Sequence, residues 1–287
     1  MMICSARWSA VFLCLAVSGA AWCAPPAVPT PTPPQLPPRV VSCTPAPFTA
    51  DVEVKLAQIS ITFDRPMKTA EQGGLAALRW LGVYPGAGKP VATWNADHTI
   101  CRLPVKLDAD ITYAVLINPA GQRGFEDPKG APALPFTWVF STGTRTPGDF
   151  PPYVVSSDPP QAAGEVDPKK QEISVTFSRP VAPGDYSWTS VGAGVYPGVR
   201  DKRVAPKLSA DRLTATLEVS LAPGAIYALS LNDVNHPGYK DTLGRPVAPY
   251  AWCFKTAGGP LAPPRPTPVG PAPPTPIPVP APPPPAK

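Results

Sequence analysis

The side chains in this sequence best suited to holding a ligand are five aromatics: Trp80, Tyr84 and Trp94 in the first half, with Trp188 and Tyr196 in the second. Rings of this kind stack on sugar faces when they stand exposed together, and Tyr84 and Tyr196 share a repeated Gly-Val-Tyr-Pro-Gly at 82–86 and 194–198. A β-sandwich of about 100 residues also needs several such rings inside it, and recurrence in both copies is what a core role produces. Packing outweighs sugar binding on this reading. Tyr84, Tyr196, Trp80 and Trp188 stand as the candidate ligand-binding residues.

Catalytic groupings are scarce. The two histidines, His98 in Asn-Ala-Asp-His-Thr and His236 in Asn-His-Pro-Gly, fall in loops at non-equivalent positions, and neither comes with His or Cys at metal-ligand spacing. The carboxylate pairs Glu126-Asp127 and Asp108 with Asp110 lie in turn sequences, where acidic residues serve the backbone rather than a glycosidic bond. The Asp127 and Asp241 loops supply fewer than the six or more oxygens that calcium takes. No catalytic residue, metal site or cofactor is expected, and the chain is not expected to be an enzyme.

Of six cysteines, Cys4 and Cys14 lie in an N-terminal export segment and Cys23 just beyond it. Cys43 and Cys101 fall in the first of two repeats, while their counterparts Ser157 and Ala215 are both non-cysteine. Joint presence and joint absence mark them as a candidate disulfide, the alternative being two small buried thiols. Cys253, opposite Val139, is expected to be a lone thiol on the wetter face of its strand.

The elements that must position these residues are set by an internal repeat. Ile59 to Pro66, Ile-Ser-Ile-Thr-Phe-Asp-Arg-Pro, returns at Ile173 to Pro180 as Ile-Ser-Val-Thr-Phe-Ser-Arg-Pro. Ile59, Ile61 and Phe63 alternate with polar residues, the pattern of a strand with one buried face. The offset of 114 residues carries Tyr113 to Tyr227, Asn118 to Asn232, and Trp138 and Phe140 to Trp252 and Phe254. Strand signals separated by Gly, Pro and Asp argue an all-β sandwich, used twice. Only 70–80 has helical leanings, and Gly73-Gly74 limits it to a turn or two at most. Leu221-Ala222-Pro223-Gly224 ahead of Tyr227 has the layout of a tyrosine corner, while the first copy keeps Leu107 and Tyr113 but has Asp108-Ala109-Asp110 at the turn.

An opening Val-x-Ser followed by prolines, Ile-x-Val-Thr-Phe-Ser-x-Pro, Leu-x-Pro-Gly-x-x-Tyr, Asp-x-x-Gly at 241–244 and a closing Phe-x-Thr together resemble the SbsA-type bacterial Ig-like domain, in two tandem copies. The resemblance implies secreted or cell-surface Ig-like β-sandwiches of the kind found in surface-layer proteins, without a catalytic centre of their own.

Composition sets the rest. Of 47 prolines, eight fall in 25–38 and fifteen in 260–287, stretches suited to extended polyproline II and not to a core. The net charge of +5 lies mostly outside the repeats: 40–143 holds nine basic and nine acidic residues, 154–257 eleven and ten. Such a balance offers no basic face to nucleic acid. Arg7, the apolar run 8–17 and Ser18-Gly19-Ala20 read as a signal peptide, cut between 20 and 24, with lipidation at Cys23 the lesser alternative. The expected organisation is a signal peptide at 1–20, a proline-rich linker at 21–39, Ig-like domains at 40–143 and 154–257 joined end to end by a stiff linker at 144–153, and a proline-rich disordered tail at 258–287. No transmembrane segment is expected in the mature chain, and the localisation is extracellular, periplasmic or cell-surface. The function this favours is a non-enzymatic structural spacer, the alternative being a carbohydrate or cell-wall binding module. A cell-wall glycan or another exported protein is the candidate partner.

Overall fold

A computed structural model describes residues 35–69, 74–86, 91–119, 124–198 and 204–258. The expected signal peptide, Cys23 and the proline-rich stretches before 35 and after 258 lie outside the described residues. The first repeat contains β1 (Val40–Thr44), β2 (Gln58–Phe63), β3 (Leu75–Ala77), β4 (Thr93–Trp94), β5 (Ile100–Pro104), β6 (Thr112–Ile117) and β7 (Phe136–Ser141). The second follows as β8 (Val154–Asp158), β9 (Glu172–Phe177), β10 (Trp188–Ser190), β11 (Lys207–Leu208), β12 (Thr214–Glu218), β13 (Ile226–Leu231) and β14 (Tyr250–Lys255). Each repeat packs a four-stranded sheet, β1-β2-β5-β4 or β8-β9-β12-β11, on a three-stranded one, β3-β6-β7 or β10-β13-β14. All strand pairs are antiparallel. The expected all-β pair of Ig-like sandwiches is what the chain forms.

Period-two alternation decides which side of each strand is dry. Ile59, Ile61 and Phe63 on β2 and Ile173, Val175 and Phe177 on β9 are buried, with Ser60, Thr62, Ser174 and Thr176 between them only partly covered. The rings meet in the same way in both cores. Tyr113 stacks on Phe140 and Tyr227 on Phe254, both at 5.3 Å between centroids, and Trp138 and Trp252 tilt against those phenylalanines.

Both tyrosine corners form. Asp108 N donates to Tyr113 Oη at 2.6 Å, and Ala222 N donates to Tyr227 Oη at 2.6 Å. The first corner manages without Pro-Gly because Asp110, at φ 58°, takes the left-handed conformation that Gly224 takes at φ 68°. Short polar side chains tolerate that region better than most. A second fixed point is a buried asparagine at the end of β6 and β13. Asn232 Nδ2 donates to Tyr239 O and Val247 O, and Asn118 Nδ2 donates to Ala133 O. Its Oδ1 accepts Tyr239 N in one copy and Phe125 N in the other, so each asparagine ties down the long loop before the last strand.

Three expectations are corrected. Of the stretch 70–80 with helical leanings, 70–73 lie outside the described residues and the rest holds strand at Leu75–Ala77, paired along β6 from Ile117 to Val115; among the described residues there is no helix, and so none that could cross a membrane. Cys43 and Cys101 are free, buried thiols. Both pair with Ile61, one through β1 and the other through β5, so they flank β2 about 9.5 Å apart, too far for a bond that needs Cα atoms within about 7 Å. Cys253 does lie on the face opposite Trp252 and Phe254, but that face is buried and the thiol is fully covered.

The copies differ at their largest core side chain. Trp138 Nε1 donates to Pro45 O at 2.9 Å, whereas Trp252 Nε1 is buried with no hydrogen-bond partner among the described residues. Losing a satisfied buried bond costs more than losing an orphaned donor. Trp138→Phe should therefore destabilise the protein by about 1 kcal/mol more than Trp252→Phe, read as the difference in guanidinium denaturation between the two variants.

Candidate functional site

The repeated Gly-Val-Tyr-Pro-Gly proves to be built into the sheets. Val83 N donates to Thr112 O and Val83 O accepts from Ala114 N, and Val195 does the same with Ile226 and Ala228. The glycine before each valine is required: a Cβ on Gly82 would stand 2.6 Å from Thr112 O, and one on Gly194 2.9 Å from Ile226 O. Tyr84 and Tyr196 then lie half-buried against the two cores, where burial raises both phenol pKa values above the ordinary one. Trp188 also leans on its core and donates from Nε1 to Tyr239 Oη at 2.7 Å. Trp94 lies edge-on to Phe125 and stacked on Phe63. Of the candidate ligand-binding residues, Trp80 is the most exposed, at 37%. No ring contact joins it to Tyr84 among the described residues, and the candidates form no shared platform.

Turn chemistry accounts for the acidic residues. Asp127 Oδ1 accepts from Lys129 N and Ala131 N, and Asp241 Oδ1 accepts from Leu243 N and Arg245 N. His98 and His236 are exposed loop residues. The described residues hold no cluster of His, Cys, Asp and Glu fit for a metal.

A concave feature lies between the repeats, which belong to one compact unit. The linker is not the modules' only join, since the outer faces of the three-stranded sheets are covered in part from across the junction. Phe150, just ahead of the second module, is buried on the first module's outer face among Leu78, Ala114, Leu116 and Val139. Leu134 of the first module is buried with Ala228, Ala251 and Cys253 on the second module's outer face, and Leu36 packs against that cluster. Thr137 Oγ1 on β7 donates to Pro249 O at 2.7 Å.

The linker is fastened by arginine. Arg179 Nη2 donates to Pro147 O at 2.6 Å and Phe150 O at 2.8 Å, and its Nη1 donates to Gly148 O at 3.0 Å. Arg245 Nη1 reaches the same Gly148 O at 2.7 Å. Both guanidinium groups face Asp241 Oδ2, Arg245 from 2.8 Å and Arg179 from 3.7 Å. Burial alone would raise the Asp241 pKa; hydrogen bonds from Arg245 and Leu243, with the Arg245 charge, outweigh it and hold the carboxyl below the usual range.

A cleft of about 460 Å³ opens beside this junction. Its walls are equivalent residues of the two copies: Val40 and Val154, Leu134 and Ala248, Pro135 and Pro249, Phe136 and Tyr250. The rim carries Phe48 stacked on Tyr153 at 4.0 Å, with Phe150 edge-on to Phe48 at 6.0 Å. Phe48 holds φ 58°, a costly backbone for a bulky residue, and the ring contacts across the junction offset that cost. Sequence reasoning missed this cleft. Its one sequence signal is the repeat of an apolar residue, Pro-Pro, one residue and Val-Val-Ser at 36–42 and 150–156.

The bacterial Ig-like domain pattern matches the chain twice, over residues 34–142 and 149–256. The chain therefore belongs to the bacterial Ig-like domain family. A search of the curated proteins finds no match. Among solved structures, the chain is similar to the crystal structure of the S-layer protein rSbsC(31-844), at 10% identity and a TM-score of 0.26, with 77% of this chain and 26% of that chain covered. It is similar to SGBP-B from a complex xyloglucan utilization locus in Bacteroides uniformis, at 11% identity and a TM-score of 0.21, with 73% and 49% covered. A chimeric titin Z1Z2-Z1Z2 tandem matches at 12% identity and a TM-score of 0.23, with 77% and 98% covered. The chain thus spans about a quarter of the first of these chains.

The clamp makes a pH prediction. Because the folded-state pKa of Asp241 is depressed, its stabilisation is complete above the unfolded carboxylate pKa of about 3.9 and is lost as pH falls through the lower folded value. Asp241→Asn should lower stability at pH 7 by about 2 kcal/mol by leaving two arginines without their anion. Denaturation midpoints measured from pH 7 down to 3 should converge for variant and parent at the acid end.

Proposed function

We propose that the chain is an exported, non-enzymatic spacer, made of two SbsA-type bacterial Ig-like modules held as a stiff pair between proline-rich arms at the cell surface or elsewhere outside the cytoplasm. The observation that carries this reading is the arginine clamp on the linker together with Phe150 and Leu134, each buried on the other side of the junction. Such contacts oppose swing and keep the distance between the two arms constant, which is what a spacer requires. The partial packing of Tyr84, Tyr196 and Trp188 against the two cores also supports a scaffold over a sugar platform.

The competing reading is a carbohydrate or cell-wall binding module, and the exposed Trp80 is what it has left. Pull-down of the purified full chain on insoluble cell-wall polysaccharide and peptidoglycan separates the two. The spacer reading expects no retention above a bare-resin control. Retention that disappears in Trp80→Ala, with the fold intact by circular dichroism, overturns it.

A further inference from the structure

The cleft between the modules is chemically selective in a way a spacer does not need. Most of its polar side chains are already committed: Thr137 to Pro249 O, both ends of the Gln161 amide to β14, the Arg39 guanidinium to Asp64, and the Tyr250 hydroxyl, 3.4 Å from Ser157 Oγ. What remains is mainly ring face and aliphatic carbon, with the Phe48 and Tyr153 stack on one side and Phe136 and Tyr250 among the lining. Aromatic-lined grooves of this kind take polyproline II chains, whose pyrrolidine rings lie on the aromatic faces and whose preformed helix loses little entropy on binding.

The chain carries such a ligand. Fifteen of the 28 residues from 260 to 287 are proline, interleaved with Ala, Val, Ile and Thr. β14 begins at the cleft with Tyr250 and runs six residues away from it, so the last described residue, Gly258, follows about 20 Å from the cleft. A polyproline II segment of the remaining length spans on the order of 80 Å, enough to double back, and tethering raises its local concentration to about the millimolar range.

We propose that the C-terminal proline-rich segment, residues 263–285, docks in this cleft of its own chain as a polyproline II ligand. An outside proline-rich protein would compete for the same site. This goes beyond the spacer reading, which stands or falls independently on the cell-wall pull-down.

The test is a photo-crosslink in the full chain carrying Ile277→p-benzoylphenylalanine. Irradiation should give an intramolecular product whose attachment, by peptide mass spectrometry, maps to Phe48, Phe136, Tyr153 or Tyr250. An excess of free peptide 263–285 should suppress it. Tyr250→Ala should cut the yield by about five-fold, the worth of one ring contact. Val155→Glu should do the same from a rim position already 54% exposed, where the fold is not at risk. Attachment scattered over the module surfaces, yields unmoved by either variant, or a product joining two chains would overturn the proposal.

Discussion

Each three-stranded sheet in this protein is buried on both faces, and part of the second burial comes from across the junction. Inside the sandwiches, Trp138, Phe140, Trp252 and Phe254 face the cores. On the other side of the same strands, Val139 lies under Phe150, and Cys253 lies with Leu134. Fully burying a side chain such as Phe or Leu contributes about 1.5–3 kcal/mol, so these anchors stabilise the pair by an amount that matters against the marginal stability of a domain. The linker conformation, the positive φ of Phe48 and the cleft all follow from that packing.

The two copies have kept the architecture while dividing the detail. Asp64 Oδ1 accepts Arg39 N at 3.2 Å where Ser178 Oγ accepts Tyr153 N at 3.0 Å, so an acid and a hydroxyl fasten the same point, the entry of the first strand to the exit of the second. The conserved geometry is the latch and not the residue type. By contrast, the arginine following that residue has diverged in use. Arg65 bonds its neighbour Asp64, whereas Arg179 reaches out to the linker carbonyls, and Arg245 joins it where the first copy has Ala131. Only the second module grips the chain that precedes it in this way among the described residues.

Much of the fold was legible because period-two patterning is local. Ile59, Ile61 and Phe63, the tyrosines of both corners and the paired tryptophans could be assigned to a dry face from alternation alone. What alternation cannot say is what covers the other face. Alternation places Cys253 on the side away from Trp252 and Phe254 but does not show Leu134 of the first module, which helps to bury it. Register was equally out of reach: that Cys43 and Cys101 both oppose Ile61 depends on which strands neighbour β2, and co-occurrence in one copy cannot distinguish adjacent strands from strands one apart. The tyrosines of Gly-Val-Tyr-Pro-Gly were ambiguous for a different reason. Stacking on a sugar and packing on a core call for the same residue type, so the repeated motif by itself cannot say which use is made. The cleft belongs to neither repeat, so no reading of one module could have shown it.

The packing of the modules on one another is reported most directly by the Cys253 thiol, which lies at the junction with Leu134 and which burial raises to a pKa of about 11. Maleimide labelling of the native full chain, followed per cysteine by peptide mass spectrometry, compares it with Cys43 and Cys101 inside the first core. The account predicts that Cys253 labels as slowly as those two, within about a factor of three, because reaching it requires opening of the same order. Labelling of Cys253 about a hundred-fold faster, with Cys43 and Cys101 still protected, would mean that the modules swing free and would contradict it.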